Sequence, residues 1–139
     1  MDLKSTKMND YFEERYQYLQ KTYKELVEKK NLEKRSVNGI YNRFENPILT
    51  PQHAHLEWRF DLEPETNPFL LERFGINAVF NAGAIKFNNK YLLIARVEAK
   101  NRKSFFAIAE SENGIDHFTF WKMPALIPSN PNETNISDM

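Results

Sequence analysis

The sequence contains no cysteine, which excludes disulfides and thiolate-ligated metal and gives no sign of an oxidising compartment. It has no apolar run approaching the roughly 18 residues of a membrane span, and Met1-Asp-Leu-Lys-Ser-Thr-Lys7 lacks the apolar segment of a secretory signal. Net charge is missing too: 19 basic and 19 acidic residues cancel, so no overall field draws the chain to nucleic acid or to an anionic membrane. A cytoplasmic protein that binds neither is the expectation. What the chain does have is 41% apolar and 14% aromatic residues over 139 positions, enough for one ordinary domain and too much for disorder.

The stretch Asn77 to Glu98 reads as two strands joined at Asn88-Asn89, because Asn tolerates the positive φ of a tight hairpin turn. Counting outward from that turn puts Asn81 opposite Arg96 and Val79 opposite Glu98 on one face, with Phe80 opposite Val97 on the other. Both faces are largely apolar, as in a strand pair covered on both sides. Asn81, Arg96 and Glu98 interrupt this surface at one end, where unpaired polar groups would cost several kcal/mol. They either satisfy one another or bind something polar.

Upstream, from about Asp10 to Lys30, the residues Phe12, Tyr16, Leu19, Tyr23 and Leu26 alternate four and three apart, the seam of an amphipathic helix. Asp10 with Glu13 suggests a capping box, and Lys24, Lys29 and Lys30 complement the dipole at the far end. The seam packs either on its own domain or on another subunit. A turn at Ser36–Gly39 and a short strand over Ile40–Phe44 precede a long irregular region from Pro51 to Pro68. There, His53-x-His55 offers two metal ligands but no third at a fixed spacing, so structural pairing outranks metal. Trp58-Arg59-Phe60-Asp61 suits either a sugar platform or local packing.

Beyond the hairpin, Lys103–Glu110 reads as a third strand, Ser111–Gly114 as a turn and Phe118–Lys122 as a fourth strand. Four successive antiparallel strands are the size of one propeller blade, and a propeller typically needs four to eight. The fold class expected is therefore mainly β with an N-terminal α-helix, the first blade of a propeller that is incomplete in this chain. Residues 1–35 form a helical extension, and residues 36–139 form the first blade and the start of the second, with Pro124–Met139 as the connection.

Arg43–Pro51, Leu56–Asp61, Glu65–Phe69, Asn77–Gly83, Ala95–Glu98, Ser104–Ala107 and Ala109–Gly114 together resemble the N-terminal part of the mannosylglucose phosphorylases of glycoside hydrolase family 130. The resemblance implies a five-bladed β-propeller that cleaves β-mannosides such as 4-O-β-D-mannosyl-D-glucose with inorganic phosphate. Inversion gives α-mannose 1-phosphate and glucose. It implies phosphate as co-substrate and no metal or other cofactor; a homo-oligomer through the N-terminal helix is a separate expectation from the helix seam. Within Glu133-Thr-Asn-Ile-Ser-Asp138-Met139, Asp138 matches the family's general acid, although Ser137 stands where Tyr is usual, which bears on the packing around the acid. By the same likeness Asn81 and Arg96 look like residues that contact the sugar, and Ala82, Glu98 and Arg59 are further candidate substrate-binding residues. The phosphate ligands lie mostly downstream, so a hydrolase of the same family is the close rival and a non-catalytic assembly module the distant one. The chain alone is expected to be inactive and to expose Phe80, Leu92, Ile94, Phe105 and Phe106.

Overall fold

The computed structural model describes residues 3–34, 39–73 and 75–126. Helix α1 runs over Leu3–Glu28. It begins well before Asp10, because Leu3–Met8 contains no glycine or proline and extending a nucleated helix is easy. Asp10 and Glu13 therefore lie inside the helix and do not cap it, and its last turn holds no basic residue. The seam itself is as expected. Phe12 is buried with Leu56, Phe60 and Leu70, and Tyr16 and Leu19 pack on the same cluster. Arg15 Nε donates to the Leu70 carbonyl at 2.9 Å. The chain's own 56–70 segment thus fills the seam, which is the own-domain alternative.

Strands β1 (Glu33–Lys34) and β2 (Arg43–Phe44) form a small antiparallel pair, so the strand expected from Ile40 shortens to two residues. The stretch expected to be irregular is ordered instead: a 3-10 turn at Pro51–His53 leads to the short helix α2, Leu56–Arg59. The main sheet is the predicted meander, β3 (Ile76–Phe87), β4 (Lys90–Ala99), β5 (Ser104–Ser111) and β6 (Thr119–Phe120), each antiparallel to the next. At the hairpin turn Asn88 and Asn89 take φ of 50° and 60°, the conformation for which Asn was singled out. A meander of this kind is compatible with part of a propeller blade.

One face of the sheet is closed. Ala95, Val97, Ala107, Ala109 and Phe120 are buried there, joined by Val79, Leu93 and Phe105 and covered by Ile48, Leu49, Ala54 and Trp58. Trp58 meets Phe105 edge-on at 5.4 Å, so Phe105 belongs to the core and not to the exposed surface expected of it. The opposite face is open: Phe80, Ile85 and Phe87 are exposed, while Leu92, Ile94, Phe106 and Ile108 are half-buried.

A polar knot ties α1 to the sheet. Buried Asn31 donates its backbone N–H to Asp116 Oδ2 at 2.9 Å and its Nδ2 to the Asn46 and Ile115 carbonyls at 2.9 and 3.0 Å. Its Oδ1 accepts the Asn46 N–H at 2.9 Å. Asp116 Oδ1 accepts from Asn113 Nδ2 at 2.7 Å and faces His117 Nδ1 at 2.9 Å, while His117 Nε2 donates to the Glu28 carbonyl at 2.9 Å. The Asn31 N–H and the Asn113 amide, with smaller help from His117 and Lys30, hold the Asp116 carboxyl below its ordinary range.

Removing the Asn31 side chain leaves one buried N–H and two carbonyls without these partners. Asn31→Ala should lower stability by about 2–4 kcal/mol, read as a depressed melting temperature. Because the folded pKa of Asp116 is lowered, its contribution is complete above the unfolded carboxylate pKa and is lost as pH falls through the folded value. Asp116→Asn should accordingly lower the melting temperature at pH 7 and flatten the acid limb of its pH profile.

Candidate functional site

The polar residues of the hairpin sit where β3 departs from regular pairing. The register follows the turn faithfully from Phe87 opposite Lys90 to Gly83 opposite Ile94, then shifts between Asn81 and Gly83. Ala82 is the extra residue of a β-bulge, and a bulge moves every later residue of its strand to the other face. Arg96 consequently stands opposite Phe80, Asn81 opposite Ala95, Val79 opposite Val97 and Glu98 opposite Ala78. The cross-strand pairing of Asn81 with Arg96 expected from simple counting is corrected by that one residue.

Arg96 projects from the open face between Phe80 on β3 and Phe106 on β5. Its guanidinium lies 4.5 Å from the centroid of the Phe80 ring. Among the described residues it makes no hydrogen bond or ion pair. Every other described arginine is engaged: Arg15 by the Leu70 carbonyl, Arg43 by Tyr41, Arg59 by Glu72, Arg73 by Asp61 and Arg102 by Glu98. A half-buried guanidinium keeps five N–H donors in a fixed fork, well matched to vicinal hydroxyls or to an anion.

Glu98 shares this face, two residues along β4. Its side chain is only 13% exposed, and one oxygen, Oε1, takes both polar contacts: Asn77 Nδ2 donates at 2.9 Å and Arg102 NH1 lies at 3.7 Å. A second irregularity of β3, between Ile76 and Ala78, frees Asn77 from regular pairing. Reading the sequence missed Asn77, because nothing in it marks either bulge.

Arg59 stands apart from this face. Its Nε and NH2 donate to the two carboxylate oxygens of Glu72 at 2.9 and 3.3 Å, a bidentate pair, and its guanidinium lies 5.2 Å from the Phe60 ring. The neighbours weighed as a sugar platform are packing elements here. Trp58 Nε1 donates to the Lys122 carbonyl at 3.2 Å, and Phe60 is buried. Asp61 accepts the Thr66 hydroxyl and the Glu63 N–H and pairs with Arg73, contacts that lower its pKa.

The two histidines are likewise structural partners. His53 Nδ1 accepts the Thr50 N–H at 2.9 Å, and burial pushes its pKa down, which keeps that nitrogen an acceptor. His55 Nε2 donates to the Phe120 carbonyl at 2.8 Å, leaving Nδ1 to face the Tyr23 hydroxyl at 3.4 Å. Burial, then the charge of Glu57, raises the Tyr23 phenol, so it remains a donor. Among the described residues no three His, Asp or Glu side chains are grouped to hold a metal ion. Asp138 and Ser137 lie outside the described residues.

These features define a mainly β chain whose open sheet face carries a guanidinium without a hydrogen-bonding partner among the described residues and a braced carboxylate. No family model matches the sequence. Over 115 residues, 82% of the chain, it is 51% identical to the 4-O-β-D-mannosyl-D-glucose phosphorylase of Bacteroides fragilis, and it spans 30% of that relative's length. Over that span the chain is mannosylglucose phosphorylase-like.

The different engagement of two arginines is measurable. Arg59→Ala breaks a partly exposed bidentate pair and leaves Glu72 without it, and should cost about 1 kcal/mol. Arg96→Lys, which breaks no hydrogen bond in this structure, should change stability by about 0.5 kcal/mol or less. Chemical denaturation of both variants checks the contrast.

Proposed function

We propose that this chain is the N-terminal portion of an inverting glycoside phosphorylase of glycoside hydrolase family 130, acting in the cytoplasm on 4-O-β-D-mannosyl-D-glucose. The observation that carries the reading is the 51% identity over 82% of the chain to a phosphorylase of that specificity. Arg96, which has no hydrogen-bonding partner among the described residues, on an open face that also holds Glu98 supports it, since a sugar needs free donors.

In this reading Asp138 is the general acid. Its proton passes through a sugar hydroxyl to the glycosidic oxygen, the bond from that oxygen to the mannose anomeric carbon breaks, and glucose departs. A phosphate oxygen forms the new bond from the opposite face, giving α-mannose 1-phosphate. One carboxylic acid suffices because phosphate is already a nucleophile and needs no base to activate water. Arg96 and Glu98 line the mannose subsite, while Arg59 braces the loop through Glu72. Phosphate is the co-substrate, and no metal takes part.

The remaining blades and most phosphate ligands belong to the part of the protein beyond these residues, so the 139-residue chain alone is inactive. Homo-oligomers, if formed through α1, use its outer surface, where Tyr11 and Tyr18 are 50% and 63% exposed, because the seam is filled.

The test is phosphorolysis by the full-length protein. Mannosyl-glucose plus phosphate should yield mannose 1-phosphate and glucose, and Asp138→Asn should lower kcat by about 10²–10⁴. Free mannose produced without phosphate would identify a hydrolase, and no turnover of β-mannosides would leave the assembly role. In the same enzyme Arg96→Lys should lower kcat/KM by roughly tenfold or more, since one charge-assisted hydrogen bond is worth about 1.5–3 kcal/mol. Unchanged kinetics would remove Arg96 from the subsite.

A further inference from the structure

We propose that Phe80 is a positioning residue that aims the Arg96 guanidinium at the sugar, an inference resting on the ligand role given to Arg96 above. The bulge at Ala82 is what brings the two together: with regular pairing Phe80 would oppose Val97 and point to the closed face. Instead its ring lies 4.5 Å from the guanidinium and is 42% exposed, on the face where Arg96 has no hydrogen-bonding partner among the described residues.

An arginine side chain free of polar contacts samples many rotamers, and ordering them on binding costs affinity. Contact with an aromatic face restricts the position of the guanidinium without consuming any of its donors, which remain for substrate. Among the described residues no second ring lies over the guanidinium, and Glu98, held by Asn77 and Arg102, forms no ion pair with it. Phe80 therefore acts through Arg96, not on the reacting atoms.

The experiment is a double-mutant cycle in the full-length phosphorylase, with kcat/KM for mannosyl-glucose and the melting temperature measured on each preparation. Phe80→Leu should lower kcat/KM about five- to thirtyfold, and Phe80→Tyr, which keeps the ring, should recover most of that loss. In an Arg96→Gln background, adding Phe80→Leu should cost less than about threefold more, because the partner it positions is gone. If Phe80→Leu does not fold, Phe80→Met makes the same test. Fully additive losses, or a Phe80→Leu enzyme at wild-type kcat/KM, would overturn the proposal while leaving Arg96 as a ligand. Wild-type kcat/KM in Arg96→Gln would instead remove the ligand role and this inference with it.

Discussion

Close approach between the sheet and the segment that covers it is the constraint on which the remaining structure depends. Ala95, Ala107 and Ala109 are almost completely buried at the centre of β4 and β5, and small side chains there leave room for Ala54 and for the Trp58 ring to settle on the strands. Dispersion falls off steeply with distance, so such a contact is worth making only if it is tight. The ordering of residues 51–60 as a 3-10 turn and a helical turn follows from this. A segment pressed against a sheet must satisfy its own backbone, and His53, His55 and Trp58 spend their polar atoms on nearby backbone groups and on Tyr23.

Helix α1 then completes a second layer. Its seam rests on Leu56, Phe60 and Leu70, residues of the same covering segment, so helix and sheet are joined through it. The Asn31 and Asp116 knot closes the far end of this arrangement, linking Asn31, three residues past the helix, to the turn between β5 and β6. In a chain of one covered sheet these two attachments set where the helix lies.

The open face has a different logic. Phe80, Ile94 and Phe106 surround an arginine that has no hydrogen-bond or ion-pair partner among the described residues, on strands whose other face is the core. One face of β4 is thus packed into the core and the other carries Arg96 and Glu98, and the bulge at Ala82 determines which residues of β3 join each.

Local physics was legible in the residues alone. The five-residue helical seam, the Asn88-Asn89 turn, the four-strand meander and the register from that turn to Gly83 and Ile94 are set by side-chain periodicity and by φ preference, properties a sequence states directly. The helix start was not legible, because Asp10 is a good cap in isolation but propagation continues through it. Nor was the loop chemistry: Arg59 looked free until Glu72 folded back onto it. The partner of Arg96 was decided last, by a bulge that no residue type announces. Asn81 and Phe80 are adjacent in the chain, and which of them faces Arg96 depends on whether one residue is left unpaired to suit the packing of Val79 and Val97 into the core. That choice is made by tertiary contacts, because only they distinguish the two faces of the strand.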